Sequence, residues 1–251
     1  MAEREVERSV SQTVRAQLAL RDLILSGGLR PGERISELQA VDTIGVSRTP
    51  VRMALVRLEE EGLLEMIPSG GFMVKSFSER DILDSIELRG TLEGLAARLA
   101  AERGVSARDL DPLRECLAQI DALVAQDPIS IEAFSAYVTL NARFHALLAE
   151  LSRSAPVIRQ VDRASALPFA SPSGFVMVQS ALPEAHQILL IAQDHHRVVV
   201  DAIENREGAR AESIMREHAR LAARNLRAAL KTRSHFNLVP ASALIKTPGV
   251  G

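Results

Sequence analysis

The sequence has 251 residues, 47% hydrophobic and 25% charged, and its 30 basic and 32 acidic side chains give a formal net charge of -2. This composition excludes disorder as the main state, allows one large or two modest domains, and confines any nucleic-acid binding to a local patch. A single cysteine excludes an internal disulfide and a Cys-rich zinc cluster, while 3% aromatic residues without Trp disfavour a platform for single-stranded nucleic acid.

The sequence shows no membrane span and no signal peptide. Its longest apolar run, residues 188–192, is far below the roughly 20 residues that cross a bilayer, and the first eight residues alternate acid and base. We therefore expect a soluble, cytoplasmic protein without a membrane partner.

The N-terminal third predicts three helices followed by a β-hairpin. A charged, flexible leader at 1–9 precedes them, Ser36 with Gln39 is typical of a capping box, and the Gly70–Gly71 pair suits a tight hairpin turn. The predicted elements are helices at 14–26, 36–44 and 48–61 and strands at 63–67 and 72–77. This order indicates a winged helix-turn-helix domain over residues 10–77.

After residue 77 the strand patterns stop and long amphipathic helices follow. Capping residues, glycines and apolar spacing predict helices at 78–103, 106–126, 128–151, 155–167, 183–206 and 208–233. Residues 168–183, with three prolines and a glycine, predict a loop, and residues 236–251 a loose tail. The expected fold is therefore mainly α, with an antiparallel all-α helical bundle at 78–235 behind the winged domain.

The third helix carries the pattern expected of a DNA-reading element. Between residues 46 and 58 it has three arginines and no acid, and Arg48 and Arg52 share one face near its start. Arginine can pair with guanine or clamp a phosphate, and the hydroxyls of Ser47 and Thr49 beside free N–H groups suit a phosphate. On spacing alone, an ordinary solvated helix face is an equal alternative; the complete order of elements favours DNA.

The segment at 29–37 (LRPGERISE) and the run at 45–58 (GVSRTPVRMALVRL) resemble the DNA-binding domain of the GntR family of bacterial transcriptional regulators. The resemblance covers about residues 10–76. It implies that Arg48, Thr49 and Arg52 contact the operator and that the wing tip near Gly70 enters the minor groove. With Arg34 and Ser47, these residues are the expected DNA-binding set. Met53 and Leu38 depart from residues common in the family.

Three histidines and an asparagine in the second region suit a metal site. Asn141 and His145 lie four residues apart on one predicted helix, and His196 and His218 lie midway along two later helices. Imidazoles from three helices of a bundle can converge on a divalent ion. From spacing alone, ordinary core or surface histidines remain the slightly favoured alternative, and that is the preferred interpretation for His186 and His235. We expect His195 to face outward or, at most, to lie next to the metal ligands.

The motifs at 141–148 (NARFHALL), 194–203 (DHHRVVVDAI) and 215–218 (MREH) are similar to those of the FCD domain, the ligand-binding bundle of FadR-type regulators. The resemblance implies that Asn141, His145, His196 and His218 hold a divalent metal, zinc or nickel. Most members carry aspartate where this chain has Asn141, and a neutral amide is a weaker ligand than a carboxylate.

An effector site is expected beside this group. The FCD resemblance places Arg89 where an inward arginine receives an effector carboxylate, and Tyr137, one turn before Asn141, could line the same cavity. The alternative is that Arg89 and Glu93 form a surface ion pair of little energetic weight. A fainter similarity, in 167–180 and around 195–196, is to regulators responsive to vanillate and other aromatic acids.

The sequence therefore predicts a homodimeric repressor, released from a palindromic operator by a small carboxylate, possibly aromatic, and not an enzyme. Two alternatives remain open. One is a metalloenzyme that uses the three histidines and a water, although the sequence has no HExxH motif. The other is a metal-free regulator that responds to an acyl-CoA.

Overall fold

Helices dominate both of the units into which the chain divides. The computed structural model describes residues 2–126, 129–167, 169–174, 176, 184–230, 239 and 241–246, with side chains from residue 12 onward. One unit comprises Met1–Glu79 and Ala241–Gly251, and the other Arg80–Pro240. The predicted fold class, mainly α with a small winged sheet and a helical bundle, is confirmed.

The first unit contains the three helices of a helix-turn-helix fold. They are α1 (Ala2–Leu25), α2 (Glu37–Ile44) and α3 (Arg48–Glu60). Ser36 and Gln39 form the predicted capping box of α2. Helix α1 begins well before the predicted start at residue 14 and includes the segment expected to be a flexible leader, because Ala, Glu and Arg there are strong helix formers.

Helix α3 is held by an apolar stripe. Val51, Leu55 and Leu58 are fully buried, as their spacing predicts, and Leu20 and Ile24 of α1 are buried in the same unit. Each such side chain stabilises the fold by about 1.5–3 kcal/mol on burial. The opposite face of α3, which carries Arg48 and Arg52, is thereby left toward solvent.

A three-stranded antiparallel sheet forms the wing. Strands β1 (Arg34–Ile35), β2 (Leu64–Met66) and β3 (Phe72–Val74) lie in the order β1-β3-β2. The predicted hairpin is β2–β3, with both Gly70 and Gly71 at positive φ. Strand β1 was not predicted, since two residues carry no periodicity and its pairing with β3 is a tertiary contact.

Part of the predicted loose tail packs into the first unit. Ser242–Leu244 is a short 3-10 helix, and Ile245 forms a parallel bridge with Phe77. The backbone N–H of Phe77 donates to the carbonyl of Leu244 (2.8 Å), and Leu244 is fully buried. Apolar burial and this hydrogen bond order the segment, which corrects the expectation for 241–246.

The second unit is built from six helices in the described residues. They are α4 (Glu79–Arg103), α5 (Ala107–Val124), α6 (Ile131–Leu151), α7 (Ala155–Ser165), α8 (Ala185–Glu204) and α9 (Gly208–Ala229). Each corresponds to a predicted helix with ends displaced by a few residues. The predicted end of the last helix at 233, and residues 168, 175 and 177–183 of the predicted loop, lie outside the described residues.

Two glycines allow α4 to approach α9 closely. A Cβ added at Gly90 would lie 2.6 Å from the Cβ of Ala219, and one at Gly94 would lie 2.9 Å from the backbone oxygen of Glu212. Side chains at either position would push the helices apart. The close crossing brings the polar residues of α4 toward those of α9 inside the bundle.

Candidate functional site

The three predicted histidines converge inside the bundle. His145 on α6, His196 on α8 and His218 on α9 are all buried, and each offers a ring nitrogen within 4.8 Å of those of the others. Phe144 packs against the ring of His196 with 4.0 Å between centroids. Side chains from three separate helices therefore meet at one point, an arrangement that spacing along the sequence could not establish.

The cluster exposes unpartnered polar atoms to a shared interior. Five buried atoms of the three histidines and Asn141 have no hydrogen-bond partner among the described residues: Asn141 Oδ1, both ring nitrogens of His145, His196 Nε2 and His218 Nδ1. A buried polar atom without a partner costs about 1–3 kcal/mol, so several together indicate a missing ligand. Three nitrogens and an amide oxygen are donors that zinc and nickel accept, and this donor set fits a divalent metal.

Burial keeps two of the histidines in the form that a metal requires. Desolvation lowers the pKa of His196 and of His218 well below the ordinary value, and the neighbouring imidazoles add to the effect. Both rings are neutral near pH 7 as a result. A neutral imidazole keeps a lone pair for a cation, whereas an imidazolium has none.

Arg89 and Glu93 form a buried ion pair beside the cluster. Their side chains are each 1% exposed, and Nη1 of Arg89 lies 2.7 Å from Oε2 of Glu93. Oε1 of Glu93 lies 2.8 Å from Nδ1 of His145. Burial alone would raise the pKa of Glu93, but Arg89 and His145 outweigh that penalty and lower it. This burial excludes the surface-pair alternative for Arg89 and Glu93.

The predicted effector residues line a pocket together with part of the histidine cluster. Its walls include Arg89 and Tyr137 beside Asn141 and His218, and Asn225 lines it as well. The remainder of the lining is mostly apolar. Nε of Arg89 is buried and has no hydrogen-bond partner among the described residues. The structure thus brings both expected effector residues and two of the four expected metal residues to one cavity.

Two polar side chains that sequence reasoning missed hold these groups in place. Oε1 of Gln193 lies 3.0 Å from Nδ1 of His196, and the hydroxyl of Ser173 accepts a hydrogen bond from Nδ2 of Asn141 (3.2 Å). Gln193 lies three residues before His196 on α8, a spacing that could have suggested contact. No sequence signal connects Ser173 with Asn141, because the two lie on different elements.

The other histidines lie outside the cluster. His195 is half-buried, with its ring centroid 6.0 Å from that of His218. Nε2 of His186 lies 2.8 Å from the carbonyl oxygen of Val124. His235 lies outside the described residues.

The start of α3 exposes the predicted DNA-contacting residues. The side chains of Arg48 and Arg52 are 79% and 71% exposed. Ser47 and Thr49 beside them are also exposed, and the hydroxyl of Ser47 makes no capping hydrogen bond. Free hydroxyls, the first N–H groups of a helix and two arginine forks together form a surface suited to phosphates and base edges.

An acidic residue absent from the predicted set lies against these arginines. Oε2 of Glu37, on α2, lies 2.8 Å from Nε of Arg48, and Oε1 lies 3.6 Å from Nε of Arg52. The carboxylate therefore contacts the inner nitrogen of both forks. Glu37 is the first residue of α2, so the rest of that helix and the following turn separate it from α3, and no helical spacing relates it to the two arginines.

Arg34 and Gly70, the other predicted DNA-binding residues, both belong to the wing. Arg34 is exposed on β1, and Gly70 is exposed at the tip of the hairpin with φ of 90°. Residues 64–74 contain no Lys or Arg. Backbone approach rather than side-chain charge is therefore what this wing tip offers to a groove.

The chain thus combines a winged helix-turn-helix with a helical bundle that contains a polar pocket. Residues 12–74 match the gntR family of bacterial regulatory proteins, and residues 84–221 match the FCD domain, which alone spans more than half of the chain. The chain belongs to the GntR family and carries an FCD domain. The relatives of the chain are DNA-binding transcriptional regulators rather than enzymes.

Individual relatives agree with this assignment. The HTH-type transcriptional regulator YdhC of Bacillus subtilis is 32% identical over 135 residues, which cover 54% of this chain and 58% of that protein, less than two thirds of its length. The HTH-type transcriptional repressor GlaR of Escherichia coli is 28% identical over 209 residues, covering 79% of this chain and 88% of that one.

A solved structure also resembles the chain. The transcriptional regulator GntR from Rhodococcus sp. RHA1 superposes with a TM-score of 0.53 at 26% identity, covering 87% of this chain and 99% of that chain. Among the helices of the described residues, none is both long and apolar enough to cross a bilayer.

Proposed function

We propose that the protein is a homodimeric transcriptional repressor that leaves a palindromic operator when a small carboxylate binds the bundle. Residues 10–77 serve as the DNA-binding domain and residues 78–235 as the effector-binding and dimerisation domain. The similarity to the repressor GlaR supports the sign of regulation. A two-fold dimer reads two half-sites related by symmetry, which is why the operator is expected to be palindromic.

The observation that carries the effector proposal is the pocket that Arg89 lines together with Asn141 and His218, two of the expected metal residues. A divalent metal held by Asn141, His145, His196 and His218 would supply a positive Lewis-acidic centre there. Arg89 adds a second positive group with an unpartnered nitrogen, and the phenol of Tyr137 adds a polar contact. Glu93 balances the charge of Arg89, but the metal and the unpartnered Nε of Arg89 would together favour a carboxylate ligand.

The size of the pocket favours a small acid over an acyl-CoA. Its cavity volume is about 30 Å³, far below the roughly 300–1,000 Å³ usual for ligand pockets, so even a small acid requires some opening of the pocket and an acyl-CoA requires far more. The mostly apolar wall beyond the polar end suits an aromatic or short aliphatic body. Ligand binding would be linked to DNA release, since an effector that prefers the form with low DNA affinity lowers that affinity by the same factor.

DNA reading is tested by removing both exposed arginines of α3. The wild-type protein selects its operator from a random duplex library, and affinity is then measured by fluorescence anisotropy. We expect the Arg48→Ala, Arg52→Ala double variant to bind at least about 30-fold more weakly, because each bidentate arginine contributes about 1–3 kcal/mol. The matched control removes two exposed arginines of the other unit, Arg108→Ala with Arg159→Ala. Unchanged operator binding by the folded double variant would refute the assignment.

Effector binding is tested by a thermal-shift screen of small carboxylates with and without zinc. A ligand that binds the folded state raises the apparent melting temperature by mass action. The Arg89→Lys variant retains the positive charge that pairs with Glu93 but loses the planar fork, so its response to each active acid should fall. A full response from this variant would show that the acid does not use Arg89.

A further inference from the structure

We infer that Gln193 and Glu93 set the tautomers of His196 and His145, placing the ring protons on Nδ1 and aiming both Nε2 lone pairs at the cluster centre. The inference rests on the proposed metal-binding role of these histidines. Neither Gln193 nor Glu93 is among the expected ligands. Both act on the metal only through the imidazole that each contacts, and they are therefore positioning residues.

The amide of Gln193 can take only one orientation. Its Nε2 donates to the carbonyl oxygen of Leu117 (3.1 Å) and to Oδ1 of Asp121 (2.5 Å). Both partners are acceptors, so a flipped amide would place oxygen against oxygen. The amide oxygen is consequently fixed on the side of Nδ1 of His196, 3.0 Å away.

That fixed oxygen determines the state of the His196 ring. A neutral imidazole has one N–H and one lone pair, and an amide oxygen can only accept, so the proton must be on Nδ1. Nε2 then carries the lone pair, and it is one of the buried atoms without a partner among the described residues. Gln193 is fully buried, so no competing solvent contact releases its side chain.

Glu93 acts on His145 in a corresponding way. Oε2 is held 2.7 Å from Nη1 of Arg89, and Oε1 lies 2.8 Å from Nδ1 of His145, an ion-pair contact outside hydrogen-bond geometry. The ionised carboxylate accepts only, which again assigns the proton to Nδ1. Nε2 of His145 has no partner among the described residues, as for His196.

The contacts of Gln193 continue to the surface of the bundle. Oδ1 of Asp121 also accepts from Nη2 of Arg197 (2.7 Å). Both of these side chains are partly exposed. The Arg197–Asp121 pair therefore anchors the amide that orients the buried His196 ring. A conservative substitution at Asp121 can change the tautomer of His196 without altering the packing of the core.

The tautomers can be measured in metal-free full-length protein labelled with ¹⁵N-histidine. Long-range ¹H–¹⁵N correlation spectra distinguish a protonated ring nitrogen from one with a lone pair. We expect the proton of both His145 and His196 on Nδ1. In Gln193→Met, the His196 ring should move to a mixture containing the Nε2–H form, and Asp121→Asn should move it in the same direction by less. Glu93→Gln should change the tautomer of His145 and leave that of His196 unchanged.

Metal affinity supplies the second readout, by zinc titration in competition with a chromophoric chelator. Removal of such an orienting partner typically lowers metal affinity about 10- to 100-fold. We expect this decrease in zinc affinity for Gln193→Met and for Glu93→Gln. Matched controls are Gln187→Met, exposed on α8, and Glu87→Gln, half-exposed on α4, neither of which should change tautomer or affinity. Circular dichroism establishes that each variant is folded.

The outcomes separate this inference from the proposed function. A wild-type His196 with its proton on Nε2, or a folded Gln193→Met with an unchanged tautomer, overturns the inference whatever the metal does. Wild-type protein with both Nδ1 protons but no zinc binding refutes the metal site and leaves the tautomer assignment supported.

Discussion

Nδ2 of Asn141 donates to the hydroxyl of Ser173, which in turn donates to the carbonyl oxygen of Val138. The hydroxyl thus accepts on one side and donates on the other, which fixes the amide with Oδ1 directed away from Ser173. Oδ1 is buried and unpartnered among the described residues. The asparagine therefore offers the oxygen that an aspartate would offer, but without its charge.

Replacing Asn141 with aspartate should strengthen metal binding. A carboxylate oxygen adds a full negative charge to a site whose three imidazoles are neutral donors, and we expect zinc affinity to rise about 10- to 100-fold. Competition titration measures the change. Gln119→Glu, which adds the same charge at an exposed position on α5, should leave affinity unchanged. Equal or weaker binding by a folded Asn141→Asp variant would show that this position does not ligate the ion.

The elements of this fold were largely predictable, because periodic apolar spacing and caps are local signals. The capping box at Ser36 and the buried stripe of α3 were both predicted from a few adjacent residues. Strand β1 was not, since its two residues become a strand only by pairing with β3. Helix α1 begins earlier than its apolar spacing predicts, because helix propensity alone extends it toward the N-terminus.

The site was predictable only in part. His145, His196 and His218 lie on three helices, so their spacing alone slightly favours ordinary histidines over a metal site. Only the resemblance to FCD motifs favours the metal site. Contacts between side chains of distant elements, such as Asn141 with Ser173, leave no pattern in the sequence. The pairing of Arg89 with Glu93 was visible as an i,i+4 spacing, but only burial distinguishes it from a surface pair.

Alanine at Gly90 or Gly94 should destabilise the bundle. The added methyl would meet Ala219 or the backbone oxygen of Glu212 at less than 3.0 Å. Overpacking costs about 1–3 kcal/mol, offset by about 1 kcal/mol of helix propensity. Urea denaturation should therefore give a lower free energy of unfolding for each variant. Thr91→Ala, on the exposed face of α4, serves as the control and should change stability by no more than about 0.5 kcal/mol.

The metal-free protein should lose stability as the pH falls below about 6.5. The pKa values of His196 and His218 in the folded state are depressed by burial below the ordinary 6.5. Below pH 6.5 the unfolded state therefore binds more protons than the folded state. The contribution of these two histidines to the free energy of unfolding is complete above pH 6.5. It declines below that pH by up to about 1.4 kcal/mol per pH unit for each histidine. The lowered pKa of Glu93 adds a separate loss only below its ordinary 4.5.

Urea denaturation between pH 5 and pH 8 measures this slope. The His196→Gln variant removes one of the two groups and should show a shallower dependence than wild type. If the free energy of unfolding depends on pH with the same slope in both proteins, His196 takes up no extra proton on unfolding.

Glu37 should make operator reading more selective. Its carboxylate contacts Nε of both Arg48 and Arg52, so it orients the two forks and adds a negative charge close to the phosphates. Glu37→Gln removes that charge and weakens the orientation. We expect binding to random duplex DNA to strengthen several-fold, and the ratio of operator to random affinity to fall by about 10-fold, the equivalent of about 1.4 kcal/mol.

Anisotropy titrations at several salt concentrations measure both affinities, because phosphate contacts set the salt dependence. Glu60→Gln, at the exposed end of α3, removes one charge without touching either arginine and should preserve the ratio. If Glu37→Gln and Glu60→Gln discriminate equally well, the carboxylate of Glu37 has no role in positioning the arginines.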